Sequence, residues 1–248
     1  MNISLTNLPK ISFRATTNLQ TTQTQSDSQN VLAQPVQDKF EKSDKKQEKS
    51  PKYITTDIFY INDNHGRIGN MSRIYSAKEL YDYQNKNSTA DKLVLAAGDI
   101  SAGADTKIAK AANTYMNALG IEATSDGNHE YDENPPEIAE SKKGAKFKSL
   151  GMNLQIPKGN PLDGVIEKSF VLEKNGHKYA IIGLAPPDLH ERIRDNDSRK
   201  QIGVDDFEKT LKDVQNAIND YKKQGINKVI VLSHCGLTKD KRLAQETS

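Results

Sequence analysis

Residues 121–132 read IEATSDGNHEYD: a short apolar, β-prone opening that breaks into Gly127-Asn128-His129-Glu130-Tyr131-Asp132. The opening predicts a strand over 121–124, and the polar run predicts a functional turn at its end. Asn128 offers a neutral amide oxygen to a hard cation. His129 beside it can reach a substrate rather than the ion, and Asp132, three residues on, can hold that imidazole in one tautomer. Working outward, the same arrangement recurs three times. Strands expected over 54–61, 93–97 and 228–232 run into Asp63-Asn64-His65-Gly66, Gly98-Asp99-Ile100-Ser101-Ala102-Gly103 and Ser233-His234-Cys235-Gly236. An α/β fold places its ligand site just past the carboxyl ends of its strands, where all four clusters fall.

The residue types in the clusters agree with one another. With a period of two, Asp63 and His65 point the same way as the strand dissolves and can offer a carboxylate oxygen and an imidazole nitrogen to one cation. Asp99 has two oxygens and can bridge two cations, while its flanking glycine lets backbone approach. His234 adds an imidazole at a fourth strand end. Taken singly each cluster has a plainer reading: an Asx-turn at Asp63 with a surface histidine, a helix cap or turn at Asp99, a turn rich in left-handed residues at 127–132.

The rest of the pattern is that of a layered α/β fold. A further strand is expected over 178–184, and Asn175-Gly176 between it and 169–173 signals a two-residue hairpin, so the sheet cannot be purely parallel. Asp105 predicts an N-cap for a helix bearing Ile108, Ala112, Tyr115 and Leu119, stopped by Gly120. Pro135-Pro136 predicts a helix running to near Gly151. Asp205 or Asp206 predicts a cap for a helix with Phe207, Leu211, Val214, Ile218 and Tyr221 on one face and Gly225 after its end.

Composition bounds the remainder. The 248 residues are 35% hydrophobic with a mean hydropathy of −0.75, low for a chain folded throughout. Residues 1–52, with TTNLQTTQTQSDSQN and DKFEKSDKKQEKSPK, bury too little to offset backbone ordering of ~1–2 kcal/mol per residue and are expected to form a disordered polar arm. The folded domain is expected over 53–248. Thirty-five basic against thirty-three acidic residues, a net charge of +2, argue against a nucleic-acid partner. The single Cys235 excludes an internal disulfide framework. It should turn away from His234 as a packed thiol. His177 follows the hairpin turn, and His190 lies in a loop, PPDLHERIRD, with Arg192 and Arg194; that loop could face a phosphate substrate, but solvated surface is the expectation. Neither a signal-peptide core of about 7–15 apolar residues nor a span of about 18 is visible, so the compartment stays open with a lean to the cytoplasm. Oligomeric state is not legible.

Taken together, Asp63-x-His65, Gly98-Asp99, Gly127-Asn128-His129-Glu130 and Ser233-His234-x-Gly236 resemble, in order and form, the calcineurin-like metallophosphoesterases. The Tyr131-Asp132 continuation and the Ser-His-x-Gly form look most like the branch of 5′-nucleotidases, UDP-sugar hydrolases and 2′,3′-cyclic phosphodiesterases. The resemblance implies two stacked mixed β-sheets with helices outside. It implies that Asp63, His65 and Asp99 hold one divalent ion (Mn, Zn, Co, Mg or Fe), that Asp99, Asn128 and His234 hold a second, and that His129 with Asp132 works on the phosphate. The implied activity is hydrolysis of a small phosphoester, nucleotide-like, by a dinuclear centre with a bridging hydroxide. Physics agrees: the two carboxylates leave net positive charge on two divalent ions, enough to hold a phosphoryl dianion and acidify water.

One departure qualifies that expectation. Family members follow the Ser-His segment, some two dozen residues on, with Gly-His-x-His, and the sequence stops at Ser248 before such a turn. The expectation is a fold incomplete at its C-terminus, three protein ligands per ion, an uncovered strand edge and impaired activity. The competing reading is a non-catalytic remnant or interaction module that keeps the fold.

Overall fold

A computed structural model describes residues 53–101 and 105–247; the expected arm, and Ala102 and Gly103 of the second cluster, lie outside them. In chain order the elements begin β1 (Thr56–Ile61), α1 (Ile68–Gln84), β2 (Asp91–Ala97), α2 (Thr106–Leu119) and β3 (Ala123–Ser125). A 3-10 turn over His129–Tyr131 leads to α3 (Pro135–Lys142), β4 (Lys148–Leu150), β5 (Leu154–Gln155), β6 (Ile166–Glu167), β7 (Ser169–Lys174) and β8 (His177–Leu184). Then come α4 (Leu189–Arg192), α5 (Asp197–Gln201), β9 (Gly203–Val204), α6 (Phe207–Lys223), β10 (Lys228–Ser233) and α7 (Leu237–Glu246).

Two main sheets result. The first has the order β1-β2-β3-β4-β6 and is parallel throughout. The second has the order β10-β8-β7, with β10 parallel and β7 antiparallel to β8. The hairpin forms at Asn175-Gly176, both residues at positive φ (50° and 79°), as a tight primed turn demands. A short β5-β9 pair lies apart from both.

Alternation along the strands dictates the stacking. Leu93 and Leu95 of β2 meet Tyr179 and Ile181 of β8 and Leu232 of β10 in one cluster between the sheets. The alternate residues of β2 face outward: Val94 and Ala96 pack with Met71 of α1 and with Ala112, Met116 and Leu119 of α2. On the other side Ile182 and Leu184 pack against Leu211, Val214 and Ile218 of α6 and Leu243 of α7. Strands apolar on both faces belong to covered sheets, and each fully buried Leu or Ile contributes about 1.5–3 kcal/mol. The mixed α/β layering is thus the expected one.

Local signals held at three helix ends. The Asp105 side chain accepts from Lys107 N at 2.8 Å, Gly120 closes α2 at φ 74°, and the cap of α6 is Asp206, accepting from Lys209 N at 2.8 Å. The helix opened by Pro135 corrects its expectation: it stops at Lys142, because Gly144 turns at φ 84° and 148–150 extends to pair with β3. Among the described residues no helix is long and apolar enough to cross a membrane.

Candidate metal centre

The four clusters meet past the carboxyl ends of β1, β2, β3 and β10. Pairing continues beyond the strands: Asp63 N donates to Gly98 O (3.1 Å), His65 N to Asp99 O (2.9 Å) and Gly66 N to Ile100 O (2.8 Å). Asp63, His65 and Asp99 all sit at positive φ (53°, 49° and 50°), a region costly for residues with a side chain and common where function over-determines the backbone. Two glycines permit the approach. A Cβ on Gly98 would lie 2.6 Å from Gly127 N, and one on Gly127 would lie 2.2 Å from Asp99 Oδ1.

Asp99 is the centre of the constellation and is 3% exposed. Its Oδ1 accepts from His129 N at 2.9 Å. Its Oδ2 lies 3.2 Å from His234 Nε2 and 4.0 Å from His65 Nε2. Asp63 Oδ1 lies 3.5 Å from His65 Nε2 and 4.0 Å from His234 Nε2. Two three-residue groups therefore have ligand atoms within 4.8 Å of one another: His65, Asp99 and His129, and Asp63, Asp99 and His234. Asp99 is common to both, as a bridging ligand must be. Asp63 is nearer His65 than His234, and the rings of His65 and His129 stand edge to face at 4.8 Å.

The donor set fits divalent cations. His234 Nδ1 lies 2.7 Å from Ala97 O, which fixes the proton there and turns the Nε2 lone pair to the carboxylates. His129 Nδ1 lies 2.5 Å from Asp132 Oδ2, leaving Nε2 for a ligand or substrate. Among the described residues neither Asp63 nor Asp99 forms an ion pair with a lysine or arginine. The Asn64 side chain is buried with neither amide atom partnered. Burial opposes charge on both Asp99 and His234, but their mutual contact wins. The His234 hydrogen bond and the His129 N–H hold Asp99 below the usual carboxylate range. Asp99, the Ala97 carbonyl and Asp63 lift His234 to about 9. The carboxylates attract positive charge, and without an ion a proton on His234 supplies it.

The structure thus gathers Asp63, His65, Asp99, His129, Asp132 and His234 in one place, with Asn128 buried next to His129 in the chain. Cys235 turns away as expected, buried with Sγ 3.4 Å from Ala185 O. The remaining histidines are partly exposed and each has a partner outside the centre. His177 Nδ1 lies 2.7 Å from Asp91 Oδ2, and His190 Nε2 lies 2.6 Å from Ile202 O. Sequence reasoning assigned no role to Asp126, which is fully buried and holds Tyr131 OH (2.8 Å) and Lys142 Nζ (3.0 Å) behind the site. Its place one residue before the Gly-Asn-His-Glu run was the available signal.

Comparison with known proteins agrees with this geometry. Residues 56–247 match the calcineurin-like phosphoesterase family, and the chain belongs to that family. It is 30% identical over 239 residues to an apyrase of Anopheles gambiae, covering 85% of this chain and 39% of that protein. It is 25% identical to a probable 5′-nucleotidase of Treponema pallidum, covering 77% and 34%. Among solved structures, a 5′-nucleotidase precursor of Thermus thermophilus superposes with a TM-score of 0.64 at 25% identity, covering 75% of this chain and 38% of that one. The chain spans less than two-fifths of the length of these proteins.

Proposed function

We propose that this chain hydrolyses small phosphate monoesters or cyclic phosphodiesters of nucleotide type at a two-ion centre. The observation that carries the reading is the convergence of His65, His234 and Asp63 on the buried carboxylate of Asp99. Asp63, His65 and Asp99, with Asn128 and His234, are the residues that would hold the ions. Divalent ions held there would supply positive charge for a phosphoryl group and would lower the pKa of water in the site. The chain's own part is positional and acid–base. Asp132 orients His129, and that imidazole stabilises the phosphoryl oxygens or protonates the leaving alkoxide. The nucleotide class is supported by relatives called 5′-nucleotidase and apyrase.

The test is turnover of p-nitrophenyl phosphate, nucleoside monophosphates and 2′,3′-cyclic nucleotides with Mn²⁺, Co²⁺, Zn²⁺ or Mg²⁺, alongside metal content by elemental analysis. Two ions per chain and metal-dependent phosphate release are expected. Folded protein that binds fewer than two ions and turns over nothing would favour a non-catalytic module.

A further inference from the structure

β2 and β3 run in register only as far as Ala97 and Ser125. Past that point the β3 chain swings away to present Asn128 and His129. The backbone N–H groups of Asp99, Ile100 and Ser101 therefore lie beyond the ladder and need other acceptors, since orphan donors in a packed loop are costly. Glu130 meets them. Its Oε2 accepts from Asp99 N (2.9 Å) and Gly127 N (2.7 Å). Its Oε1 accepts from Ile100 N (2.9 Å), Ser101 N (3.2 Å) and Ser101 Oγ (3.3 Å). On the opposite edge, the carbonyls of Gly98, Asp99 and Ile100 accept from the β1 loop at Asp63, His65 and Gly66. One carboxylate thus stands in for a missing strand, and through it three ligand-bearing loops become one hydrogen-bonded unit.

We infer that Glu130 is the positioning residue of the metal centre: its carboxylate clamps the β2 loop to the β3 loop and sets the spacing of Asp99 from Asn128 and His129. The inference rests on the proposed two-ion function but makes a claim of its own about the backbone. Glu130 is in neither group of candidate ligands. Four of its five donors are backbone N–H groups, two on each oxygen, so only a symmetric acceptor serves all of them. A carboxamide has one acceptor oxygen, and in either orientation its NH₂ faces two N–H donors.

Glu130→Gln, of equal shape, is therefore the discriminating variant, with Glu130→Asp as the variant that keeps the charge but withdraws it. Two readouts are taken on the full chain, with Asp91→Asn as a destabilised control away from the site. The first is metal affinity by calorimetry with Mn²⁺. Glu130→Gln should weaken it by about 10–100-fold, the range for outer partners of metal ligands, and Asp91→Asn should not move it. The second needs no metal: amide hydrogen exchange in the chelated chain. Asp99, Ile100, Ser101 and Gly127 should exchange faster in Glu130→Gln and be unchanged in Asp91→Asn. If the parent takes up no metal, the proposed function fails while the exchange readout still decides the clamp. Unchanged exchange at those four amides overturns the inference, as does parental affinity in a folded Glu130→Gln. Failure of both variants to fold also overturns it, because the carboxylate would then serve the whole fold.

Discussion

Two aspartates mark the two ends of one strand: Asp91 opens β2, and Asp99 lies two residues past its close. Both are almost wholly buried, 1% and 3% exposed, and both have an imidazole within reach. Around Asp91 every neighbour donates. Tyr179 OH (2.6 Å), Asn175 Nδ2 (2.9 Å) and His177 Nδ1 (2.7 Å) close on its oxygens from the β7–β8 hairpin. The Tyr179 bond leads in holding its carboxyl below the usual range, against burial and with help from Asn175 and His177. Around Asp99 the partners are themselves ligands. His234 donates to it through Nε2 for want of a cation, while Nε2 of His65 and the carboxylate of Asp63 share the same space. A buried carboxylate saturated by donors is a structural pin, and one that shares its space with other acceptors is a place for a cation.

The largest effect should come from the open end. Asp99→Ala removes the residue common to both ligand groups, so elemental analysis should find neither ion and turnover should vanish. Two ions per chain in that variant would show that Asp99 is no bridge. Next come His129→Ala and Asp132→Asn, expected to lower kcat by ~10²–10⁴ with metal content intact, since neither is assigned as a ligand; loss of an ion from either would move it into the coordination set.

The closed end should answer in stability alone. Asp91→Asn is expected to cost about 1–3 kcal/mol in urea unfolding, the penalty for leaving buried donors short of an acceptor, while metal content and kcat stay at parental values. A fall in metal content would mean that the two ends of β2 are coupled. The smallest effect is the pH dependence of that difference. Because the folded carboxyl is depressed below 3.8, its contribution is fully present above the unfolded value of about 3.9. It is lost as pH falls from there through the folded pKa. The stability gap between parent and Asp91→Asn, measured in chelator, should be flat from neutral pH to about 5 and shrink below about 4; a gap that widens in acid would reverse the assignment.

Legibility followed the range of the interaction. The hairpin at Asn175-Gly176, the caps at Asp105 and Asp206 and the stop at Gly120 are local signals, satisfied within a few residues. α1 went unread because only Met71 of its seventeen residues is buried, which leaves little helical periodicity. α3 was read too long, since the pull of 148–150 onto β3 comes from across the fold. In the centre the residue types were plain, but the role of Glu130 was not, because its partners lie three residues away and about thirty residues away.

What the sequence determined by itself was the chemistry: two carboxylates, an amide and three imidazoles at strand ends, in an order that names the family. That much is intrinsic to side chains and to strand periodicity. The tertiary structure alone decided which imidazole faces which carboxylate, and which histidines are excluded from the site. It alone set Asp91 among donors and Asp99 in a space shared with a second carboxylate. The reason is physical: burial and the neighbours it brings determine whether an aspartate is neutralised by hydrogen bonds or left to attract a cation, and both come from strands and loops far apart in the chain.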